Sequence, residues 1–393
     1  MNKLYYSARQ EYESIFESRY NSDDAIHIDF PALASQCFCM QNREISDLLL
    51  RIYHANWEIE RLVNSLPGIA ISQFTKRCLI DEIVLTNDIE GVNSTRKDIS
   101  KVLNELSEKN RRQRFYGLIQ KYEMLQTPNS FQTCEDIRNI YNELVLDEVV
   151  SEDPTEEPDG LLFRAGPVSI VSPAQKEIHR GLSPESAIIQ AMEKALNFAN
   201  SDICDPLIRT AAFHYMFGYI HPFYNGNGRL ARYLSSCMLA KTLHPLMGYR
   251  LSYTIKENIS KYYKAFKECN DPHSHGDLTT FVYTFLSFLL AAAEQLLDAL
   301  QVRLNKLNHY GYLLSLHIED KEIYSLGHVL IQAQLFSEDG ITATDYMLNT
   351  NHSRTTFNKR LEFFRQKNIL IVKKIGKEFH YKMDLQALES LSQ

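Results

Sequence analysis

A mainly α-helical protein that closes with a small, basic, strand-containing module is what this sequence predicts. Three observations lead there. Apolar residues recur at three- and four-residue spacing along most of the 393 positions, the signature of amphipathic helices. Strand-like alternation is confined to a short run near Gly166 and to the neighbourhood of Gly376. The last seventy residues also differ in charge from everything before them. The length exceeds one ordinary core, so the chain is expected to divide: an N-terminal helical region over 1–112, a central helical bundle over 113–310 and a C-terminal module over 311–393.

Taken in order, Ile45, Leu48, Leu49, Ile52 and Tyr53 mark one face of a helix, and Ile71, Phe74, Cys78, Ile83 and Glu90 outline a second. Helices are expected near Arg114–Leu125 and Glu135–Val145. The acidic stretch Asp147–Gly160, broken by Pro154 and Pro158, reads as a mobile loop. Leu162–Val171 alternates around Gly166 and Pro167 and reads as a short hairpin. Helices resume over Pro184–Phe198, Asp205–Ile220, Gly228–Thr242, Glu257–Asn270 and Leu278–Leu307. The C-terminal module should hold a short helix at Thr342–Asn349, a turn, a helix at Ser353–Lys367, and two strands about Gly376.

Composition excludes several classes. An apolar fraction of 44% beside 23% charge belongs to a globular chain rather than a disordered or fibrous one. The greasiest run, Phe281–Ala293, stops at Glu294 and reads as a buried helix too short to span a bilayer, so no membrane partner is expected. Met1–Ser14 is polar and aromatic, without an apolar signal core. Seven cysteines lie scattered, and Cys37 and Cys39 are spaced wrongly for a zinc knuckle or a redox pair. Small core fillers in a reducing cytoplasm are the expectation. A net charge of −7 argues against wholesale nucleic-acid coating.

The segment that carries chemistry is His221–Arg232, HPFYNGNGRLAR. The helix before it must end ahead of Pro222, because proline disfavours helical geometry in its predecessor, so His221 is presented at a helix end. Gly226 and Gly228 flank Asn227 where a new helix begins. Glycines let backbone N–H groups approach an anion, and a helix N-terminus adds a favourable dipole. Arg229 sits in that first turn, where a cation opposes the dipole; a bound anion accounts for it. Arg232, three residues on, shares its face. An imidazole base, a phosphate nest and two guanidiniums make a phosphate-transfer site. The bland alternative for any one of these features, a glycine-rich turn capped by a histidine, does not account for the whole string.

That string resembles the signature of the Fic family, HPF-x-D/E-GNGR-x-x-R, and FGYI ahead of it (Phe217–Ile220) matches the family's lead-in. RAGPVSIV (Arg164–Val171) resembles the family's flap, which implies that Val168 and Ile170 hold a target segment by strand pairing. Leu251–Asn270 resembles the segment that encloses adenine, which implies Tyr262, Tyr263 and Asn270 as its lining. The resemblance implies a protein adenylyltransferase that moves AMP from ATP to a Ser, Thr or Tyr hydroxyl. His221 would take the hydroxyl proton, the Gly226–Gly228 backbone and the Asn227 amide would hold the α- and β-phosphates, Arg229 the β-phosphate and Arg232 the γ-phosphate. Family members carry Asp or Glu where this chain has Asn225, the ligand of Mg2+ or Mn2+. A neutral amide oxygen coordinates a hard cation without neutralising it, so metal affinity and turnover are expected to be weak.

Thr86–Gly91, TNDIEG, resembles the family's inhibitory motif, S/T-x-x-x-E-G/N. Thr86 and Glu90 share a helix face, and Gly91 supplies the stop. The resemblance implies that Glu90 pairs with Arg232 and removes the γ-phosphate clamp. Beyond it, His352–Lys382 carries nine Lys or Arg against two Glu, a net of +7, which leaves −14 on the rest of the chain. Phe357, Leu361 and Phe364 form a buried stripe, with Arg354, Thr355, Asn358 and Lys359 outward. With the strands around Gly376 this resembles a winged helix-turn-helix, for which DNA contact and protein docking both stay open. The expected partners are ATP and a protein substrate, the chain itself included. A homodimer stays open. So do two rival functions: a nucleotide-sensing DNA-binding or scaffold protein, and a de-AMPylase.

Overall fold

The computed structural model describes residues 2–7, 9–32, 35–106, 113–127, 130–171, 177–350 and 352–391. The chain is mainly helical. In order it runs α1 (Asn2–Ser7), α2 (Tyr12–Tyr20), β1 (Ala25–Ala32), β2 (Ser35–Met40), α3 (Arg43–Ser65), α4 (Gly68–Ile89), α5 (Arg96–Asn104), α6 (Tyr116–Glu123) and α7 (Cys134–Tyr141). A π-turn over Asn142–Leu146 leads into α8 (Asp147–Glu152). Then come β3 (Ser169–Val171), β4 (Glu177–Arg180), α9 (Glu185–Ala199), α10 (Pro206–Ile220), α11 (Asn227–Thr242), α12 (Leu251–Glu257), α13 (Ile259–Cys269) and α14 (Thr279–His317). The C-terminal part holds α15 (Lys321–Phe336), β5 (Ile341–Thr342), α16 (Ala343–Asn349), α17 (Arg354–Gln366), β6 (Leu370–Ile375), β7 (Glu378–Met383) and α18 (Leu385–Ser390).

The chain forms two compact units: Met1–Asn56 with Leu79–Ala293, and Trp57–Cys78 with Glu294–Gln393. Residues 1–112 therefore do not stand as one body, and α3, α4 and α14 each contribute residues to both units.

The larger unit is built on α10, a helix buried nearly all round. Phe213, Tyr215, Met216, Phe217 and Ile220 are all fully buried, and α9 and α11 pack on it. A helix apolar on every side is a core helix. Asp205 caps its start by accepting from Leu207 N at 2.8 Å, and Pro206 fills the first-turn position where a missing N–H costs nothing. Antiparallel β1 and β2 pair from Ala25 opposite Met40, and Phe38 exchanges main-chain bonds with Gly276 and Leu278 beyond α13. In the smaller unit, strands order β5-β7-β6, all antiparallel. Phe357, Leu361 and Phe364 are buried along α17 as their spacing demands, and Thr342 caps α16 through a reciprocal bond with Asp345.

Three expectations are corrected. Asp147–Gly160 is not a loop throughout: its first six residues are α8, because Val149 is fully buried and Glu148 has buried partners. The hairpin is displaced along the chain: β3 pairs with β4, Ile170 opposite His179, and residues 172–176 between the two strands lie outside the described ones. Leu161, Leu162 and Phe163 instead give their N–H groups to the Glu185 carboxylate at 2.8–3.0 Å, which spends the donors that a strand would pair. The helix expected over Leu278–Leu307 runs further, since α14 continues to His317. By length and composition alone α14 could cross a membrane, yet 56% of its most apolar stretch is buried inside the protein, as in core helices.

Candidate active site

The site forms where α10 ends and α11 begins. His221 is the C-cap of α10, with φ +52 in the left-handed region that only a few per cent of non-glycine residues occupy. Its N–H still bonds Phe217 O at 3.0 Å. Phe223 stacks on Tyr141 with ring centres 3.7 Å apart, which seats the loop. Asn227 closes it, accepting from Phe223 N at 2.9 Å and donating to Phe223 O at 2.8 Å. Both ends of that amide, which the resemblance assigns to phosphate, are spent on loop geometry. Gly226 turns into α11 with φ +78, and a Cβ there would fall 2.9 Å from a Val145 methyl, so conformation and space both require glycine.

Both arginines point into the protein, each to a different carboxylate. Arg232, 1% exposed, donates to Glu90 Oε1 at 2.8 Å, to Thr86 Oγ1 at 2.7 Å and to Thr86 O at 3.0 Å. Thr86 on α4 and Glu90, one residue past its end at Ile89, thus grip one guanidinium, and Gly91, φ +75, follows in the turn. Burial alone would lower Arg232; Glu90 foremost, with Tyr262 and Tyr122, reverses this and holds it above its ordinary value. Glu90 also covers the nest, since a Cβ on Gly228 would meet its Oε1 at 2.1 Å. Arg229, equally buried, pairs with Glu148 Oε2 at 2.8 Å, while the other Glu148 oxygen accepts from Phe115 N. Burial raises the Glu148 carboxyl, and Arg229 pulls it back. Although Arg229 and Arg232 are three residues apart, they are not a shared clamp here.

His221 is held at about 4, first because partial burial disfavours its charged form and then because His179 and Arg164 add positive charge. It is therefore neutral at pH 7 and able to accept a proton. Asn225 accepts from Gly226 N at 2.6 Å and donates to Glu156 Oε2 at 2.7 Å. Tyr262 is buried and its hydroxyl meets His214 Nε2 at 2.8 Å; Asn270 Oδ1 accepts from Tyr215 OH at 2.7 Å. Tyr263 is half exposed. On the flap side, Val168 O accepts from Gly181 N at 3.1 Å and Ile170 lies in β3.

Sequence reasoning missed Glu82, Glu148, Glu156, Arg164 and Tyr224. Glu82 is fully buried one turn before Thr86 and accepts from Ser252 N at 2.9–3.0 Å and from Ser252 Oγ at 2.5 Å, which ties α4 to α12. Its spacing of four from Thr86 and eight from Glu90 was the available signal. Among the described residues no group of three or more His, Cys, Asp or Glu is placed to hold a metal, and none of the seven cysteines forms a disulfide.

Residues 131–239, which include this loop and α10, match the model of the Fic/DOC family. Over 111 residues the chain is 33% identical to the protein adenylyltransferases Fic of Drosophila sechellia and Drosophila melanogaster, a match that covers 28% of this chain and 20% of those proteins. The chain thus spans about a fifth of the length of the curated relatives it matches. A Fic family protein from Desulfovibrio desulfuricans G20 superposes with a TM-score of 0.50 at 19% identity, over 85% of this chain and 95% of that one, a likeness of fold. With the helix-end histidine, the glycine nest and the paired arginines inside the matched segment, this chain carries a Fic/DOC family domain over residues 131–239.

Proposed function

We propose that the chain is a protein adenylyltransferase held silent by its own α4. In the reaction, a Ser, Thr or Tyr hydroxyl of a protein attacks the α-phosphorus of ATP. Its proton passes to the neutral imidazole of His221, the bond from that phosphorus to the β-phosphate bridge breaks, and pyrophosphate leaves. The N–H groups at the start of α11 supply fixed donors for phosphate oxygens. The observation that carries the reading is the Glu90 carboxylate, seated on the Arg232 guanidinium and over Gly228, where an anion would otherwise lie.

A Mg2+ or Mn2+ ion fits this donor set. The Asn225 amide oxygen and the Glu156 carboxylate, joined by the 2.7 Å bond from Asn225 Nδ2, are hard oxygen donors beside the nest. When bound, the ion would neutralise phosphate charge. Glu156 brings the negative charge that Asn225 lacks.

The test is AMP incorporation from α-labelled ATP by wild type and Glu90→Gly, with magnesium and with manganese. The variant is expected to label itself and other proteins at least a hundredfold faster, since misplacing a reacting atom by about an ångström costs about that much. Equal activity would mean that Glu90 is an ordinary helix end. A second reading rests on Asn225, whose amide is committed to Gly226 and Glu156: a nucleotide sensor that binds ATP without turnover. Tight ATP binding by Glu90→Gly with no labelling identifies it. Release of AMP from a pre-labelled protein would identify a de-AMPylase.

For the C-terminal module we infer a winged helix that contacts DNA. Arg354, Lys359 and Lys377 are exposed and have no carboxylate partner among the described residues. Arg360, Arg365 and Lys373 are neutralised by Glu322, Glu362 and Asp339.

A further inference from the structure

Arg164 is fully buried, and no carboxylate pairs with it among the described residues. Its guanidinium is satisfied by three main-chain carbonyls instead: Nε donates to His221 O at 3.0 Å, one terminal nitrogen to Gly166 O at 2.5 Å and the other to Leu182 O at 2.8 Å. Gly166 precedes β3 and Leu182 follows β4, so one side chain joins both ends of the flap to the residue that carries the base. Its own N–H bonds Pro222 O at 3.1 Å, and Leu182 N bonds Ile220 O at 3.1 Å. Gly181 makes room for the arrangement: a Cβ there would lie 2.5 Å from the Arg164 terminal nitrogen and 3.0 Å from His221 Cβ. The approach is further fixed by Glu185, which takes the three N–H groups just ahead of Arg164, and by Tyr224, which accepts from Gly166 N at 2.9 Å and donates to Asp159.

Leaving a cation in such a place is costly unless every donor is used. A neutral side chain could hold a turn. A planar five-donor fork is needed where three carbonyls from separate segments must be fixed in one plane. The carbonyl it grips belongs to a residue in the left-handed region, a conformation that persists only when its surroundings determine it.

We propose that Arg164 is a positioning residue that locks the His221 main chain to both ends of the flap, so that the segment that would hold a target and the imidazole that would deprotonate it move as one body. The proposal deepens the adenylyltransferase reading and rests on it for its catalytic consequence. It assigns no contact between Arg164 and substrate.

Two measurements test it. The groups that face His221 are Arg164, His179 on β4 and Glu90 just past α4. In the full-length chain with labelled histidine, the His221 resonance is identified by its loss in His221→Ala and titrated by NMR. Arg164→Met should raise its midpoint by about one unit, since a nearby cation is gone; Arg164→Lys should leave it low. In the Glu90→Gly background, Arg164→Lys should lower the rate of AMP transfer about a hundredfold with ATP affinity unchanged, because charge is kept and the fork is lost. Gly181→Ala, which retains the arginine, should lower the rate in the same way. A thermal melt accompanies each variant, and if Arg164→Met does not fold, the lysine and alanine variants carry the test. Parent-like transfer by Arg164→Lys overturns the proposal, as does an unmoved His221 titration in Arg164→Met. So does ATP affinity that falls in step with rate, which would mean the residue serves the nucleotide. Should the Glu90→Gly parent transfer nothing, the adenylyltransferase reading falls and the titration alone decides Arg164.

Discussion

His221 combines two properties that only its surroundings provide. Burial and the neighbouring positive groups hold its ring near 4, and it stands beyond the last turn of α10, at the head of the loop that leads into α11. His221→Ala should reduce AMP transfer by about 10²–10⁴-fold in the Glu90→Gly background, the usual worth of a general base. ATP binding, followed by calorimetry, should persist. Undiminished labelling would sink the mechanism. The metal belongs to the same scale. Asn225→Asp places a second carboxylate against Glu156, a repulsion that a divalent cation relieves, so Mn2+ affinity read by EPR should rise and turnover with it. Glu156→Gln should weaken Mn2+ binding. If neither substitution moves the metal, the ion is held elsewhere. The residue identities here were legible from the HPFYNGNGRLAR string. Glu156 was not, since nothing in a run of acids says which one folds back 69 positions along the chain onto Asn225.

Helix α4 works as an element with the turn after it, because Glu82 and Thr86 on one face and Glu90 just past its end follow at intervals of four. Glu90 and Thr86 hold Arg232, while Glu82 is buried against the start of α12. Burial lifts Glu82 to about 7 from the ordinary 4.5, against the pull of Ser252, Arg232 and Arg250. The folded chain therefore binds this proton more tightly than the unfolded chain does. Stability from this group is complete below pH 4.5 and is lost as pH rises through 7. The shift corresponds to about 3 kcal/mol at most. Glu82→Gln removes the ionisation, so its melting temperature relative to wild type should improve between pH 5 and pH 8. A gap that stays constant over that range would show that Glu82 is not the titrating group. The periodicity of Phe74, Cys78 and Ile83 predicted this helix and its Gly91 stop. It was silent on α8, whose six residues are helical because Val149 and Glu148 find buried partners.

Over the whole molecule, charge is uneven: +7 lies in His352–Lys382 and −14 in the rest. If the exposed cations on α17 and beside Gly376 meet DNA phosphates, binding of a duplex by the full-length chain should fall steeply, by tenfold or more, between about 50 and 200 mM salt. The pair Lys359→Glu and Lys377→Glu should abolish it. No binding at the lower salt would favour protein docking. Fold class, the helix order and the break at Pro222 were determined by the sequence alone, because helical period and proline stereochemistry are local properties of the chain. So was the pairing of Thr86 and Glu90 on one face. Tertiary structure decided what those faces meet. Glu148 reaches Arg229 across 81 positions and Thr86 reaches Arg232 across 146. It also decided that Arg164 is buried on three carbonyls and that the hairpin begins at Ser169. Periodicity reports that a side chain turns inward; only packing determines which distant group waits there, since ion pairs and main-chain bonds carry no signal in the residues between them.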